Sequence, residues 1–203
     1  MPNLPNKNLR HESEPQALDL LKHWTDITVS KAFLSADFLL WLWYFSESSQ
    51  NPFSVESEML SKDHPVKIWI EDRIVLESTG SKAHIQTLRG GDPGSSIEAV
   101  SGLMTGKTVK ELKIGIHVDS IGDFAVLLSS KDLAPKAVQL PNPEGTQSTL
   151  SYRLKMTELA TFLIDSLFQK FLALRTSEKW VSEVLNQIEK WIENRGHKET
   201  HLH

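Results

Sequence analysis

Asp92, Glu111 and Lys113 are the residues whose types and order come closest to a catalytic set. An acidic residue followed by Glu-x-Lys is the pattern of many metal-dependent nucleases, in which two carboxylates hold Mg²⁺ and a lysine orients the attacking water. Glu111 and Lys113, two apart on a predicted strand, share a face as that chemistry requires. Asp92 lies instead in Arg89-Gly90-Gly91-Asp92-Pro93-Gly94, the strongest loop signal in the chain. A Glu and a Lys two apart on a solvated strand more commonly form an exposed cross-strand charge set.

Other motifs are weaker. Gly102-Leu103-Met104-Thr105-Gly106-Lys107-Thr108 imitates a phosphate-binding loop, but only three residues separate its glycines, and a predicted helix precedes it where a strand is needed. A helix end at Gly106 accounts for it better. His197, His201 and His203 have a spacing that could hold a metal, yet they sit among polar residues with no apolar support, as in a frayed tail. His84 and His117 alternate with apolar neighbours, the pattern of structural strand histidines. There is no Gly-x-Ser-x-Gly elbow and no His-Glu-x-x-His pair. Without cysteine, thiolate catalysis and Cys-based zinc sites are excluded. No cofactor or metal is implied.

For binding, the candidates are Lys107, Lys110, Lys113, Lys131 and Lys136, which make the central strands locally basic. On a regular strand Lys107 and Lys113 point one way and Lys110 the other, so they form no single phosphate-tracking row. The net charge of −4 argues against a generally basic nucleic-acid binder.

The run Phe38-Leu39-Leu40-Trp41-Leu42-Trp43-Tyr44-Phe45 has no polar face when wound as a helix. Ser35 is a suitable N-cap and Asp37 a suitable first-turn carboxylate, which predicts about three turns from Ala36. Phe38, Trp41, Trp43 and Tyr44 are therefore interface or core candidates. Such a helix is hard to cover in a chain of 203 residues without a partner surface, which predicts self-association or a separate protein partner. Eight residues are far short of the roughly 20 that span a bilayer.

The elements that must position these residues follow from periodicity. Residues 1–12 read as a disordered leader. Ser13-Glu14-Pro15 opens a helix to about Ile27, with Leu18, Leu21 and Trp24 at helical spacing. Beyond the aromatic helix the period changes to two. Val66 to Leu76 is one long strand or a tight hairpin, and Ala83–Leu88, Val109–Val118, Asp123–Leu128 and Ala137–Leu140 are further strands. A short helix is inserted at about 97–105. Leu150–Leu174 carries Tyr152, Met156, Leu159, Leu163, Leu167 and Phe171 in steps of three and four, and a last helix capped by Ser177 carries Trp180, Val184, Ile188 and Trp191. The prediction is one α+β domain over residues 13–195. It has two N-terminal helices, an antiparallel sheet of about five strands over 66–140, one inserted helix and a helical hairpin over 148–195, then a tail at 196–203. The polar N-terminus has no apolar signal-peptide core, so a cytoplasmic protein without a membrane segment is expected.

One resemblance adds to this. Phe38-Leu39-Leu40-Trp41-Leu42-Trp43-Tyr44 followed by Ser46-Glu47 resembles the Phe-Leu-x-Trp-Leu-Trp segment in the C-terminal half of long bacterial proteins of the recombination-associated RdgC family. In the same order, Glu71-Asp72-Arg73-Ile74-Val75-Leu76-Glu77 is similar to a strand of those proteins, and Glu98-Ala99 with Gly106-Lys107 to their short helix and its end. Phe171-Leu172-Ala173-Leu174-Arg175-Thr176-Ser177 with Trp180 is similar to their Phe-Leu-x-Leu-Arg-x-Ser-x-x-Trp. The similarity covers about residues 31–192. The relatives often have Gly-Arg-Glu where this chain has Ser35-Ala36-Asp37. The N-terminal part of typical members, ring-shaped dimers that bind duplex DNA and restrain the RecA recombinase, has no counterpart here. The resemblance implies a non-enzymatic, DNA-associated protein of recombination or replication that acts by binding and self-association, with no catalytic residue to carry over.

Overall fold

A computed structural model describes residues 34–57, 60, 65–78, 84–119, 121–141 and 149–197. The expected leader at 1–12 and first helix at 13–27 lie outside these residues, as do His201 and His203.

The chain is α+β. Its five strands, β1 (Val66–Ser78), β2 (Ile85–Arg89), β3 (Lys107–Val118), β4 (Gly122–Ser129) and β5 (Lys136–Gln139), form one antiparallel sheet in the order β2-β1-β3-β4-β5. Of the two alternatives for residues 66–76, one long strand is adopted. Its register breaks between Ile70 and Ile74, where four steps on β1 oppose two on β3. Glu71-Asp72-Arg73, too polar to face a core, is placed in that break. Between Val75 and Leu76 the excess residue is on β3, at Lys110.

Alternation sends Ile68, Ile74 and Leu76 of β1, Leu112, Ile114 and Ile116 of β3, and Phe124, Val126 and Leu128 of β4 into one continuous core. The helices supply the rest of that core. They are α1 (residues 34–47), α2 (Ile97–Met104), α3 (Thr149–Arg175) and α4 (Leu185–His197). Among the described residues no helix is long and apolar enough to cross a membrane.

The aromatic run is α1, and the chain covers it by itself. Phe38, Leu39, Trp41, Leu42, Trp43 and Phe45 are at most 1% exposed. From α3, Phe168 meets Phe38 edge-on at 5.1 Å and Phe171 lies 5.7 Å from Trp41; from α4, Trp191 meets Trp43 edge-on at 5.4 Å and Tyr44 at 5.8 Å. The two C-terminal helices thus grip successive stretches of one helix. Burial of each large side chain contributes about 1.5–3 kcal/mol. The expectation that a partner must cover this helix is corrected accordingly. Ser35 is corrected too: it lies inside α1 and is buried, so it is no N-cap. Asp37 reaches across to Arg175 at 3.2 Å.

Local signals explain the remaining ends. Ser96 caps α2 by accepting a hydrogen bond from the Ala99 N–H at 3.2 Å, and Gly106 leaves the helix with φ +80°. The Ser177 hydroxyl donates to the Leu174 carbonyl instead of capping the helix that follows, which takes a π-helical turn at Trp180–Val184. α4 continues through Gly196, where the expected tail was to begin. A Cβ there would lie 3.0 Å from the Met104 sulfur, so glycine permits close packing of α4 on α2.

Candidate functional site

The sheet face turned away from the helices carries most of the charged side chains singled out above. Glu111 is bound by Arg73 at 2.5 Å, Lys110 by Glu77 at 2.6 Å and Lys113 by Asp72 at 3.0 Å. Each pair joins β1 to β3. The register sets these pairings, because Glu111 lies opposite Val75 and the polar break 71–73 opposite Lys113. Beside them the Trp69 indole lies flat on Gly115, where a Cβ would come within 2.1 Å of the ring, and its Nε1–H donates to Glu71 at 2.8 Å.

Asp92 does not join Glu111 and Lys113. Its carboxylate accepts from the Ser95 hydroxyl at 2.5 Å, in a short 3-10 turn at Pro93–Ser95. There it lines a polar cleft at the sheet edge with Glu47 and Arg195, which belong to the helices. Arg195 is held by Glu47 at 2.6 Å and donates to the Gly94 carbonyl. Among the described residues no group of three or more His, Asp or Glu side chains could hold a metal ion.

The lysines are divided differently from the strand alternation expected for them. The extra residue at Lys110 inverts the parity of β3, so Lys107 turns towards α2 and donates to Gln86 at 2.7 Å, while Lys110 and Lys113 share the far face. Lys136 pairs with Asp132 at 2.9 Å in the β4–β5 turn, and the salt bridge helps to hold the Asp132 carboxyl below its ordinary value. The same turn carries Lys131, close to Lys110, whose carbonyl accepts from the Ser130 N–H at 2.8 Å. Four of the five candidate lysines therefore already have a side-chain partner within the chain. At the tip of the β3–β4 hairpin, His117 bridges Asp123 at 2.6 Å and Asp119 at 2.9 Å. The Asp123 hydrogen bond is the main cause that raises its pKa, partly opposed by desolvation and supported by Asp119.

A different feature, silent in the sequence, is an apolar cleft of about 550 Å³ between α1, α3 and the β4–β5 turn. Phe38, Phe168, Leu172 and Leu133 form its walls, and Lys131 and Asp165 stand at its polar positions. Leu133 takes φ +52°, an uncommon conformation for a branched residue that costs about 1–2 kcal/mol. Near by, burial raises the pKa of Asp37, opposed by its hydrogen bond and charge interaction with Arg175. Phe38 and Leu133 stand 95 positions apart, so no local pattern announces the cleft. Glu77 and Asp72, which bind Lys110 and Lys113, were legible in principle, as opposite charges on neighbouring strands, once the register was known. Scanned against models of known protein families the chain matches none, and no curated protein matches it.

Proposed function

We propose that this protein is an RdgC-like accessory factor that acts by binding, in association with DNA during recombination or replication. The observation that carries the binding half of this reading is the separation of Asp92 from Glu111 and Lys113, each engaged by a different partner. Phosphodiester chemistry would need them around one cation. The DNA half rests on the ordered segments shared with RdgC-like proteins and on the basic side chains of β3 and the β4–β5 turn.

Lys110, Lys113 and Lys136 are neutralised within the chain, and this sets the expected behaviour. A phosphate must displace Asp72 from Lys113 and Glu77 from Lys110, so binding should be weak and should fall steeply with salt. Removing the competing carboxylates in Asp72→Asn/Glu77→Gln should tighten it. The test is fluorescence anisotropy of labelled duplex and single-stranded DNA at two salt concentrations, with Mg²⁺ present and the DNA checked for cleavage. No binding at low salt by either form would overturn the DNA reading and leave a protein-interaction domain, which the closed ion pairs also favour. Mg²⁺-dependent cleavage abolished by Glu111→Ala would instead establish a nuclease.

A further inference from the structure

We propose that the outer edge of β2 receives β2 of a second copy of this chain, so that two sheets join into one across a two-fold axis at Thr87. β2 ends the strand order, with β1 on one side and no strand on the other. Two bonds to β1 fix its parity: the Ser78 N–H donates to the His84 carbonyl at 3.1 Å, and the Gly90 N–H to the Asp72 carbonyl at 2.9 Å. Inward and outward residues alternate in an antiparallel ladder, so the N–H and C=O groups of Ile85, Thr87 and Arg89 point away from β1. Among the described residues nothing pairs with them. The sheet's other margins are blunted. β5 is interrupted by a register shift, carries Ala137 at φ +47° and is flanked by Pro135 and Pro141, all of which deter a further strand. The half of β1 that β2 does not reach is occupied by Asn51, which bonds Ile68, and by Phe53, which pairs with Val66. β2 itself has an unbroken register, no proline and no lysine, and it carries Ile85 with 57% of its surface exposed.

A second copy suits this edge better than an arbitrary strand. Antiparallel pairing of Thr87 with the partner's Thr87 matches every outward N–H with an outward C=O, because Ile85 and Arg89 lie symmetrically about it. It sets Thr beside Thr, a favoured cross-strand pair, and lays the stem of the partner's Arg89 along exposed Ile85, with no like charges opposed. Charge also favours it. Arg89 stands opposite Arg73 on β1 and forms no ion pair among the described residues, whereas Arg73 is bound by Glu111. In the joined sheet the partner's Glu77, which is the β1 neighbour of Ile85 and holds Lys110 through one oxygen, enters the cross-strand row of Arg89 and supplies an opposite charge. The contact is a single short strand, well below the roughly 1,600 Å² of a standard interface, so the pairing is weak and parts on dilution with the core of each copy intact. It uses none of α1 and rests on no property of DNA.

The chain has no cysteine, so an introduced thiol can form a disulfide only with its own copy. In full-length Thr87→Cys the paired Cα atoms would lie about 5.5 Å apart, within disulfide reach, and mild oxidation should give a covalent dimer. Ile85→Cys, also exposed on the same face of the same strand, would hold its two thiols roughly 13 Å apart and should cross-link about tenfold more slowly. In sedimentation velocity the weight-average mass of the unaltered protein should rise between about 10 µM and 1 mM. Thr87→Pro removes an outward N–H and leaves every bond to β1 in place, so it should stay monomeric over that range. If it fails to fold, the two thiol variants decide. Thr87→Cys that yields no disulfide overturns the proposal and leaves the edge to a foreign strand, and a dimer that Thr87→Pro leaves intact overturns it as well. Equal cross-linking of Thr87→Cys and Ile85→Cys does the same, because the contact would then lack this register.

Discussion

His117 and its two aspartates show what single residues contribute and when. The imidazole sits at a hairpin tip, with Asp123 on one ring nitrogen and Asp119 on the other. Because the folded pKa lies above the ordinary 6.5, the folded state holds its proton more tightly than the unfolded state does. The resulting stabilisation is fully present below pH 6.5 and is lost as pH rises through the folded value. It is small, since all three groups are largely solvated and salt screens them. Asp123→Asn should bring the His117 titration, followed by NMR at its C2 proton, down towards the ordinary range. Asp119→Asn should move it less. A titration unchanged by Asp123→Asn would mean that the contact does not govern the ring.

At the scale of elements, the first half of β1 has an edge that β2 does not reach, and a side chain protects it. The Asn51 carboxamide accepts from the Ile68 N–H at 3.0 Å and donates to the Ile68 carbonyl at 2.7 Å, while Phe53 pairs with Val66 through backbone bonds. The amide completes the ladder where a further strand would otherwise stand, and so closes an edge open to foreign strands. Asn51→Ala should cost about 1–3 kcal/mol in urea unfolding with an unchanged m-value, since two backbone groups lose their partner. A loss below experimental error would show that water replaces the amide at no cost. The turn signal at Asn51-Pro52 was visible in the sequence, but not its use, because the partner is 17 positions away. The same limit explains the rest of the comparison. Periodicity located all five strands, and the three-and-four steps of α3 picked out Met156, Leu159, Leu163, Leu167 and Phe171, all buried. It misplaced Lys107 because one bulged residue reverses every side chain beyond it. It also made Ser35 a cap, although the helix it was to start already includes it.

For the whole molecule the decisive question is what covers α1. A helix apolar on every side suggested a partner, yet Trp41 is stacked on Phe45 at 4.9 Å, tilted against Phe171 at 5.7 Å and 1% exposed within one chain. If the chain alone completes this core, unfolding is unimolecular, and its midpoint does not move with protein concentration. A core completed by a second copy would instead gain stability with each increase in protomer concentration. Thermal and urea unfolding over a hundredfold range of concentration should therefore superimpose. Any self-association in DNA-related work would then use another surface and could be lost without unfolding. Trp41→Ala supplies the complementary measurement. Emptying so large a volume between α1 and α3 should cost about 3–5 kcal/mol at every concentration. A penalty that shrinks as concentration rises would place Trp41 at an interface after all, and would restore the partner that the bare sequence suggested.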